Sequence, residues 1–309
     1  MDEPLSELRA ACAEVASRAR HITVVREEID RYAKSLPLGP GPGNPDPEVH
    51  MVDGTREELA AFWLTLDAIN FGSGWFPTLR KRPGRSGYFT IAGGLRGRFH
   101  NSGPWAADEL AHIDTREVAA VLGQDPDHEL MQLFAGSLRD LGAHIARDYD
   151  CRFAGAVDDA GESAAVLVAK LAQWRCFEDA SQYDGISVPF LKRAQIAAAD
   201  LALAGVARFD DLDRLTTFAD NLVPHVLRLD GVLDYVPALA RQIERGELIE
   251  HGSAEEVEIR ACAVHAVELI VAARSGKVTA AAVDRLLWNR GQQPRYKARP
   301  RHRSRCTAY

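Results

Sequence analysis

The sequence predicts a mainly α-helical, compact fold with at most a small β element. Apolar residues recur at helical spacing along most of the chain, behind residues that commonly begin helices. The 309 residues are 46% hydrophobic, which is enough apolar surface for a sizeable core. We expect one domain over residues 1–309, with an irregular N-terminal third (1–105) and a helical core (106–309).

Several local signals place individual elements along the chain. Residues 36–47, LPLGPGPGNPDP, cannot continue a helix and are expected to form a loop. Only residues 79–89 have the character of an extended segment, so any sheet should be small. The helix signals are, in order, a Thr55-x-x-Glu58 capping box, an Asp125-Pro126 N-cap, an apolar stripe over residues 232–243, a Ser253-x-x-Glu256 capping box, and Thr279 as the cap of residues 280–289.

Composition excludes several classes of protein. No run approaches 18 uncharged apolar residues, and the charged N-terminus lacks the apolar stretch of a signal peptide. The five cysteines are scattered and form no C-x-x-C pair, which argues against a disulfide framework or a zinc site. The net charge of −7 gives no general attraction to nucleic acid. We therefore predict a soluble, cytoplasmic protein with no membrane partner.

The charge distribution is more informative than the net charge. No acidic residue follows Asp284, whereas many basic residues do. One interpretation is a solvated, partly disordered tail. The other is a basic lip over an anionic ligand. The basic residues are Arg285, Arg290, Arg295, Lys297, Arg299, Arg301, Arg303 and Arg305.

None of the standard catalytic glycine loops, metal motifs or nucleophile elbows is present. However, residues 215–225, LTTFADNLVPH, closely resemble a motif of the queuosine salvage protein family, the queuosine 5'-phosphate N-glycosylases/hydrolases. The C-terminal residues 300–309, PRHRSRCTAY, also resemble that family. Four further blocks agree in the same order, namely residues 66–71 (LDAINF), 188–196 (VPFLKRAQI), 255–260 (EEVEIR) and 284–289 (DRLLWN).

The resemblance implies a helical fold related to helix-hairpin-helix DNA glycosylases but adapted to a free modified nucleotide. It implies hydrolysis of the N-glycosidic bond of queuosine 5'-phosphate or queuosine, which releases queuine for salvage into tRNA modification. No metal, organic cofactor or stable nucleic-acid partner is implied. Two features depart from the family pattern. Residues 72–77 are glycine-rich where an aromatic-rich sequence is expected, and Asn289 replaces an acidic residue.

Asp220 is the candidate catalytic residue. Cleavage of an N-glycosidic bond leaves positive charge on the sugar, and a carboxylate beneath the ring stabilises that charge or activates water. Asp220 precedes a predicted helix with Pro224 in its first turn, so it can also be a plain N-cap. Both roles are compatible with one side chain. Phe218 and Ala219 stand next to it and are candidate substrate contacts.

The departing base needs its own contacts. Queuine is a 7-deazaguanine, so position 7 carries carbon and cannot be protonated. A carboxylate accepts well from the guanine-like N–H edge, and the cyclopentenediol arm carries an amine and two hydroxyls. The alternative for these candidates is a solvated helix face or a surface histidine. The candidates are Asp284 and Asn289 as acceptors, Trp288 as a stacking residue, His50 as a contact to the base or diol, and Asn70 and Phe71 near the pocket floor.

Lys192 and Arg193 are candidates for binding the 5'-phosphate. They begin a predicted helix after residues 188–191, where the helix dipole slightly disfavours positive charge. The alternative is two ordinary surface cations. By contrast, Glu258, Arg260 and Glu268 have the pattern of a structural polar network.

Two rival functions come from other classes. The first is a nucleic-acid-binding or DNA-repair glycosylase-like protein that uses the basic C-terminus, which requires a broad basic face. The second is a non-enzymatic helical interaction module, in which Asp220, Asp284 and Lys192 would not cluster.

Overall fold

The computed structural model describes residues 3–37, 45–275 and 277–309. Most of this part is helical, so the mainly α prediction is confirmed. The relation to helix-hairpin-helix DNA glycosylases stays a prediction. The helices are α1 (Glu3–Arg18), α2 (Arg26–Ser35), α3 (Arg56–Ala68), α4 (Gly87–Ser102), α5 (Ala107–His112), α6 (Thr115–Leu122), α7 (Glu129–Asp148), α8 (Phe153–Asp158), α9 (Ala164–Leu171), α10 (Lys192–Leu203), α11 (Val223–Leu229), α12 (Pro237–Glu244), α13 (Ala254–Ala273), α14 (Ala280–Gly291) and α15 (Pro294–Lys297).

Among the described residues, the strands form two antiparallel pairs, β1 with β4 and β2 with β3. Neither pair includes residues 79–89, so the expectation of an extended segment there was wrong. Ser86 instead caps α4 by accepting a hydrogen bond from the Phe89 amide. Strands of three or four residues are too short to show the alternation that identifies strands in a sequence. The strands are β1 (Ile22–Val24), β2 (Ala180–Tyr183), β3 (Ile186–Pro189) and β4 (Leu233–Tyr235).

The N-terminal third is not irregular, because α1 to α4 lie within residues 1–105. Glycines make α4 hard to identify from sequence, since glycine lowers helix propensity by about 1 kcal/mol. Packing requires at least one of them. A Cβ on Gly94 would stand 3.0 Å from the Val121 carbonyl oxygen of α6. Close helix packing therefore outweighs local propensity here.

Three predicted helix caps are present. Thr55 and Glu58 form the complete capping box of α3, and Thr279 caps α14. Ser253 caps α13 by accepting from the Glu256 amide at 3.3 Å. The Glu256 side chain does not complete that box, because it accepts instead from the Gly252 amide at 3.1 Å.

Two predicted helix starts were wrong. Helix α7 begins at Glu129 and is capped by His128, whereas the Asp125 side chain accepts from the Asp127 amide in a turn. The stripe over residues 232–243 divides between β4 and α12, with Pro237 as the first helical residue. Pro fixes its own φ and disfavours helix at the preceding residue, so it marks this boundary.

In the described residues the apolar core has two large clusters, which α13 joins, and a small third cluster of Cys306, Ala308 and Tyr309. The larger cluster takes residues from α1 and α3 to α10, and the smaller one from α2, α11 to α14, β1 and β4. Helix α13 contributes Val257 and Val264 to the first and Ile259 and Val267 to the second. The single-domain organisation stays a prediction. Within the predicted loop 36–47, residues 38–44 lie outside the described residues.

No helix in residues 3–37, 45–275 and 277–309 is both long and apolar enough to cross a bilayer.

Candidate active site

A cavity of about 1020 Å³ is lined by residues of both apolar clusters, including Trp63 of the larger one and Tyr296 of the smaller one. Most of the sequence-predicted site residues lie on its wall, although they come from distant parts of the chain. These residues are His50, Asn70, Phe71, Lys192, Phe218, Asp220, Asp284, Trp288 and Asn289.

Asp220 lies in the turn before α11 and faces the cavity. Its Oδ1 accepts hydrogen bonds from the amides of Leu222 at 2.7 Å and Val223 at 3.1 Å. Its Oδ2 has no hydrogen-bond donor among the described residues. The predicted cap and a cavity-facing carboxylate oxygen therefore coexist in one side chain, because each role uses a different oxygen.

Buried polar groups fix the segment that carries Asp220. Gln195 of α10 accepts from the Thr216 amide at 2.8 Å and donates to the Phe190 carbonyl at 3.1 Å. Arg260 of α13 donates to the Ala219 carbonyl at 2.9 Å and pairs with Asp179 at 2.7 Å. Both side chains are fully buried. The turn is thus held from two helices, which preorganises the Asp220 carboxylate.

Asp284 is the second cavity carboxylate and is 5% exposed. Its Oδ1 accepts from the Thr217 hydroxyl at 2.5 Å and the Phe218 amide at 2.8 Å. Burial raises the pKa of Asp284 to about 7, and the nearby Asp220 carboxylate adds to the rise. Near neutral pH this side chain can therefore either donate or accept a hydrogen bond through its other oxygen.

Lys192 begins α10 and is 5% exposed. Its Nζ donates to the Asn70 carbonyl at 2.9 Å and contacts Asn70 Oδ1 at 3.5 Å. Burial lowers the pKa of Lys192, whereas the carboxylates of Asp220 and Asp67 oppose that shift. A cation held in this way lies within electrostatic reach of Asp220.

Arg193 and Ala219 are not among the residues that line the cavity, and their contact with the substrate stays a prediction. The Arg193 guanidinium is buried between the Phe71 and Phe177 rings and donates to the carbonyls of Ala68 and Cys176. Successive helix residues point about 100° apart, so only Lys192 of the pair can face the site. The Ala219 carbonyl is the acceptor for Arg260.

An aromatic cluster forms one part of the wall. The Asp46 amide donates to His50 Nδ1 at 3.1 Å, so Nε2 carries the proton and donates to the Tyr88 hydroxyl at 2.9 Å. Burial lowers the pKa of His50 to about 4, which leaves a neutral ring at physiological pH. Trp288 meets the Tyr88 ring edge-on at 6.0 Å, and Trp63 lies 5.0 Å from the His50 ring. We call His50, Trp63, Tyr88 and Trp288 the aromatic cluster.

The C-terminal residues form a different part of the wall. The Gly72 amide donates to the Tyr309 carbonyl at 2.9 Å, and Tyr309 is 2% exposed. A Cβ on Gly74 would stand 2.4 Å from the Ser304 carbonyl oxygen, so glycine permits this close approach. The interpretation as a disordered tail was wrong for this segment. The basic lip consists of Lys297, Arg299, Arg301 and Arg303, all of which line the cavity.

Within the basic lip, the arginines differ in their partners. Arg299 pairs with Glu244 at 3.0 Å, and Arg303 donates to the Gly246 carbonyl at 2.6 Å. Arg301 has no hydrogen-bond or ion-pair partner among the described residues. Burial lowers the pKa of Arg301, and Asp220 opposes that shift, so these two groups are neighbours. The cavity therefore holds a guanidinium that no described residue pairs with, near its candidate catalytic carboxylate.

Several cavity residues were not among the predicted site residues. Tyr88 lies in the segment that was expected to be extended, and Trp63 lies on a helix whose apolar run signals only a core. Arg301 could not be distinguished from its neighbouring arginines by sequence. The missed residues include Trp63, Tyr88 and Tyr309, whereas Arg301 was predicted only as one of eight basic residues of the lip.

The structural polar network was predicted in its main members. Glu258 accepts from the Arg20 and His21 amides at 3.0 and 2.7 Å and from the Tyr183 hydroxyl at 2.8 Å. These bonds join α13 to β2 and to the turn before β1. Glu268 pairs with Arg9 at 3.2 Å and joins α13 to α1.

Comparison with known proteins identifies the family of this chain. The sequence model of the family described as queuosine salvage protein matches residues 49–309. The chain is 38% identical over 274 residues to the queuosine 5'-phosphate N-glycosylase/hydrolase of Sphaerobacter thermophilus (strain ATCC 49802), an alignment that covers 85% of this chain and 84% of the relative. It is 28% identical over 330 residues to the protein of the same name from Dictyostelium discoideum, with 99% of each chain covered, and 26% identical over 340 residues to that of Mus musculus, with 100% of each covered. The chain belongs to the queuosine salvage protein family.

Proposed function

We propose that this chain hydrolyses the N-glycosidic bond of queuosine 5'-phosphate and releases queuine for salvage into tRNA modification. The names of its relatives support this substrate. The structural observation that carries the proposal is the free Oδ2 of Asp220, which faces the cavity beside a second carboxylate and two cations.

In the proposed reaction, water attacks the anomeric carbon of the ribose while the bond to the base breaks. The electron pair of that bond leaves with queuine, which takes up a proton, and the sugar product is ribose 5-phosphate. Asp220 Oδ2 faces the positive charge that develops on the ring and accepts a proton from the attacking water. Because two backbone amides hold Oδ1, the carboxylate needs little reorganisation as the charge develops.

Asp284 is proposed to hold the base. Its Oδ1 is fixed by Thr217 and Phe218, and the other oxygen remains for the guanine-like edge of queuine. The Phe218 and Trp288 rings line the same cavity and offer faces against which the base can lie. Asn289 lines the cavity one turn beyond and can contribute an amide to the same edge.

The 5'-phosphate is proposed to contact Arg301 and Lys192. Both cations are close enough to Asp220 for its charge to oppose the lowering of their pKa by burial. In the proposed complex, the ribose that carries the phosphate lies above that carboxylate. Arg301 has no protein partner among the described residues, so its fork of donors is available. Five of the eight basic residues that follow Asp284 line this cavity, namely Arg285, Lys297, Arg299, Arg301 and Arg303. A cytoplasmic location stays a prediction from the sequence.

Incubation of the purified protein with queuosine 5'-phosphate tests the proposal. Mass spectrometry should detect queuine and ribose 5-phosphate in equal amounts. Guanosine 5'-phosphate is the control, and it should be cleaved far more slowly because it lacks the queuine arm. Absence of queuine after prolonged incubation with excess enzyme would contradict the proposed reaction.

A further inference from the structure

Asp200 is a cavity carboxylate that has no role in the proposed reaction. Asp200 lies near the end of α10 and lines the cavity. No described residue donates a hydrogen bond to it, and no described cation lies within ion-pair distance. Asp220 and Asp284 each use one oxygen to hold the protein backbone, whereas both oxygens of Asp200 remain available.

The face of α10 around Asp200 is distinctive. Lys192, Ile196, Asp200 and Leu203 all line the cavity, at the three- and four-residue spacing that places side chains on one helix face. Asp200 therefore stands between two aliphatic side chains. Eight residues of helix separate it from Lys192, which corresponds to about 12 Å along the axis. The Lys192 ammonium donates to the Asn70 carbonyl and makes no hydrogen bond to Asp200 among the described residues.

Asp200 also has an acidic neighbour, Asp67. Asp67 of α3 is fully buried, and its Oδ2 has no hydrogen-bond partner among the described residues. Burial, followed by the proximity of Asp200, raises the pKa of Asp67 well above its usual value. The pKa of Asp200 rises only to about 6, mainly through burial, because Arg285 and Lys192 favour its ionised form. Because the pKa of Asp200 is about 6, its carboxylate is mainly anionic at neutral pH.

Asp200 is thus a half-buried anion that lies between two aliphatic side chains and accepts no hydrogen bond from the described residues. This environment fits a ligand that carries a cation next to a hydrocarbon ring. The arm of queuine has this chemistry, because its secondary amine is protonated at neutral pH and joins the base to a cyclopentene ring. Asp284, which is tied to the Phe218 segment, is placed for the planar base. The neutral amide of Asn289 cannot balance the charge of the arm.

We propose that Asp200 binds the ammonium of the queuine arm, with Ile196 and Leu203 packing against the cyclopentene ring. This inference rests on the proposed function and names the residue that selects the modified base over unmodified ones. Asp200 forms a charge-assisted hydrogen bond that no base without the amine can make. Its contribution is to specificity, since the amine takes no part in bond cleavage.

Calorimetry with three free bases tests the assignment. Queuine has the amine and the ring, 7-aminomethyl-7-deazaguanine has the amine alone, and 7-deazaguanine has neither. Asp200→Asn should weaken binding of the first two by about 10- to 100-fold, while 7-deazaguanine should change less than about twofold. Leu203→Ala should weaken queuine binding but leave the aminomethyl base nearly unaffected. Asp234→Asn, an exposed acid on β4, is the matched control and should change none of the three.

A second measurement needs no variant. The wild-type protein should bind 7-aminomethyl-7-deazaguanine at least about tenfold more tightly than the neutral 7-hydroxymethyl analogue. Equal affinity for those two bases, or an equal effect of Asp200→Asn on queuine, the aminomethyl base and 7-deazaguanine, would overturn the assignment. Turnover of queuosine 5'-phosphate without this discrimination would overturn the assignment of Asp200 but not the proposed hydrolysis. Discrimination among the bases without any turnover would instead contradict the proposed hydrolysis.

Discussion

The aromatic cluster lies mainly on helices, whereas the basic lip lies mainly on a segment without regular secondary structure. Trp63, Tyr88 and Trp288 lie on α3, α4 and α14, so helical packing fixes their positions. Three of the four cations of the basic lip lie beyond α15 in a segment without regular structure. That segment is positioned by individual contacts, such as the Gly72–Tyr309 hydrogen bond and the close approach of Gly74 to Ser304.

This difference separates two tasks in the proposed reaction. A rigid helical wall suits a planar base, whose contacts depend on shape and on a few fixed hydrogen bonds. A phosphate presents negative charge in several directions. Guanidinium groups on an irregular segment can therefore bind it without the fixed arrangement that a planar base requires. Asp220 lies within electrostatic reach of both walls, because its charge shifts the pKa of Asp284, on the same helix as Trp288, and of Arg301 in the basic lip. Variants in each part should therefore affect different kinetic constants.

The largest effect is expected for Asp220→Asn, which removes the charge shared by both parts. The amide oxygen can still accept from Leu222 and Val223, so the turn should remain folded. Loss of a preorganised charge used mainly in the transition state should raise the activation free energy by about 3 kcal/mol or more. Single-turnover kinetics with queuosine 5'-phosphate measure this change.

Queuine binding to Asp220→Asn provides the control, because the base contacts do not use this carboxylate. The dissociation constant should stay within about threefold of the wild-type value, which is under 1 kcal/mol. A variant that retains wild-type turnover would place the catalytic carboxylate elsewhere, with Asp284 as the next candidate.

The next effect concerns the pH dependence of stability at Asp284. Its pKa is about 7 in the folded protein, against 3.8 ordinarily, because burial favours the protonated form. The stabilisation from that proton is complete below the unfolded pKa and is lost as the pH rises through about 7. Asp284→Asn keeps an acceptor for Thr217 and Phe218 but cannot ionise. Relative to the wild type, its free energy of unfolding should gain on the order of 3 kcal/mol between pH 4.5 and 8.

Urea denaturation of both proteins at several pH values measures that gain, since the difference cancels the other titrating groups. A constant difference across the pH range would mean that Asp284 is ionised throughout. It would then act only as an acceptor toward the base.

A smaller and more selective effect is expected in the basic lip. Arg301→Gln should lower the ratio of kcat/KM for queuosine 5'-phosphate to that for queuosine by about tenfold, because phosphate binding energy can lower the barrier at the ribose. Higher salt should reduce the wild-type ratio toward that of the variant, since a partly exposed ion pair is screened.

Arg299→Gln is the matched comparison for Arg301, because Arg299 is paired with Glu244 and should contribute less to the ratio. Arg193→Gln should instead destabilise the fold, because it leaves the carbonyls of Ala68 and Cys176 without their buried donor. If Arg301→Gln left the ratio of the two kcat/KM values unchanged at low salt, the phosphate would not bind at the basic lip.

The sequence predicted much of the helical wall, but for the C-terminal wall it left a basic lip and a disordered tail as alternatives. Helical periodicity and caps identified α3, α13 and α14, and the family resemblance singled out Asp220, Asp284 and Lys192, which line one cavity. Local pattern could not identify α4, whose glycines are required by close packing. It also could not show which arginine lacks a described partner, because that depends on where Glu244 and Gly246 lie in three dimensions.

The smallest effect is expected for Tyr88→Phe in the aromatic cluster. His50 Nε2–H donates to the Tyr88 oxygen, so the Tyr88 hydroxyl proton is free to donate into the cavity. Loss of the hydroxyl removes one neutral hydrogen bond and leaves His50 Nε2–H without its acceptor. Such a change is worth about 0.5–1.5 kcal/mol, so the dissociation constant of queuine should rise by roughly 2- to 12-fold.

The effect of Tyr88→Phe should not vary between pH 6 and 8, because burial holds the pKa of His50 near 4 and the ring stays neutral throughout. Tyr149→Phe is the matched control, because the Tyr149 hydroxyl donates to Asp159 at 3.2 Å and Tyr149 does not line the cavity. Calorimetry with queuine should therefore show weaker binding for Tyr88→Phe alone. If Tyr88→Phe bound queuine as tightly as the wild type, the hydroxyl would serve only to orient His50. The specificity of the aromatic cluster would then come from ring contacts, while kcat/KM for queuosine 5'-phosphate would still depend on Arg301 in the basic lip.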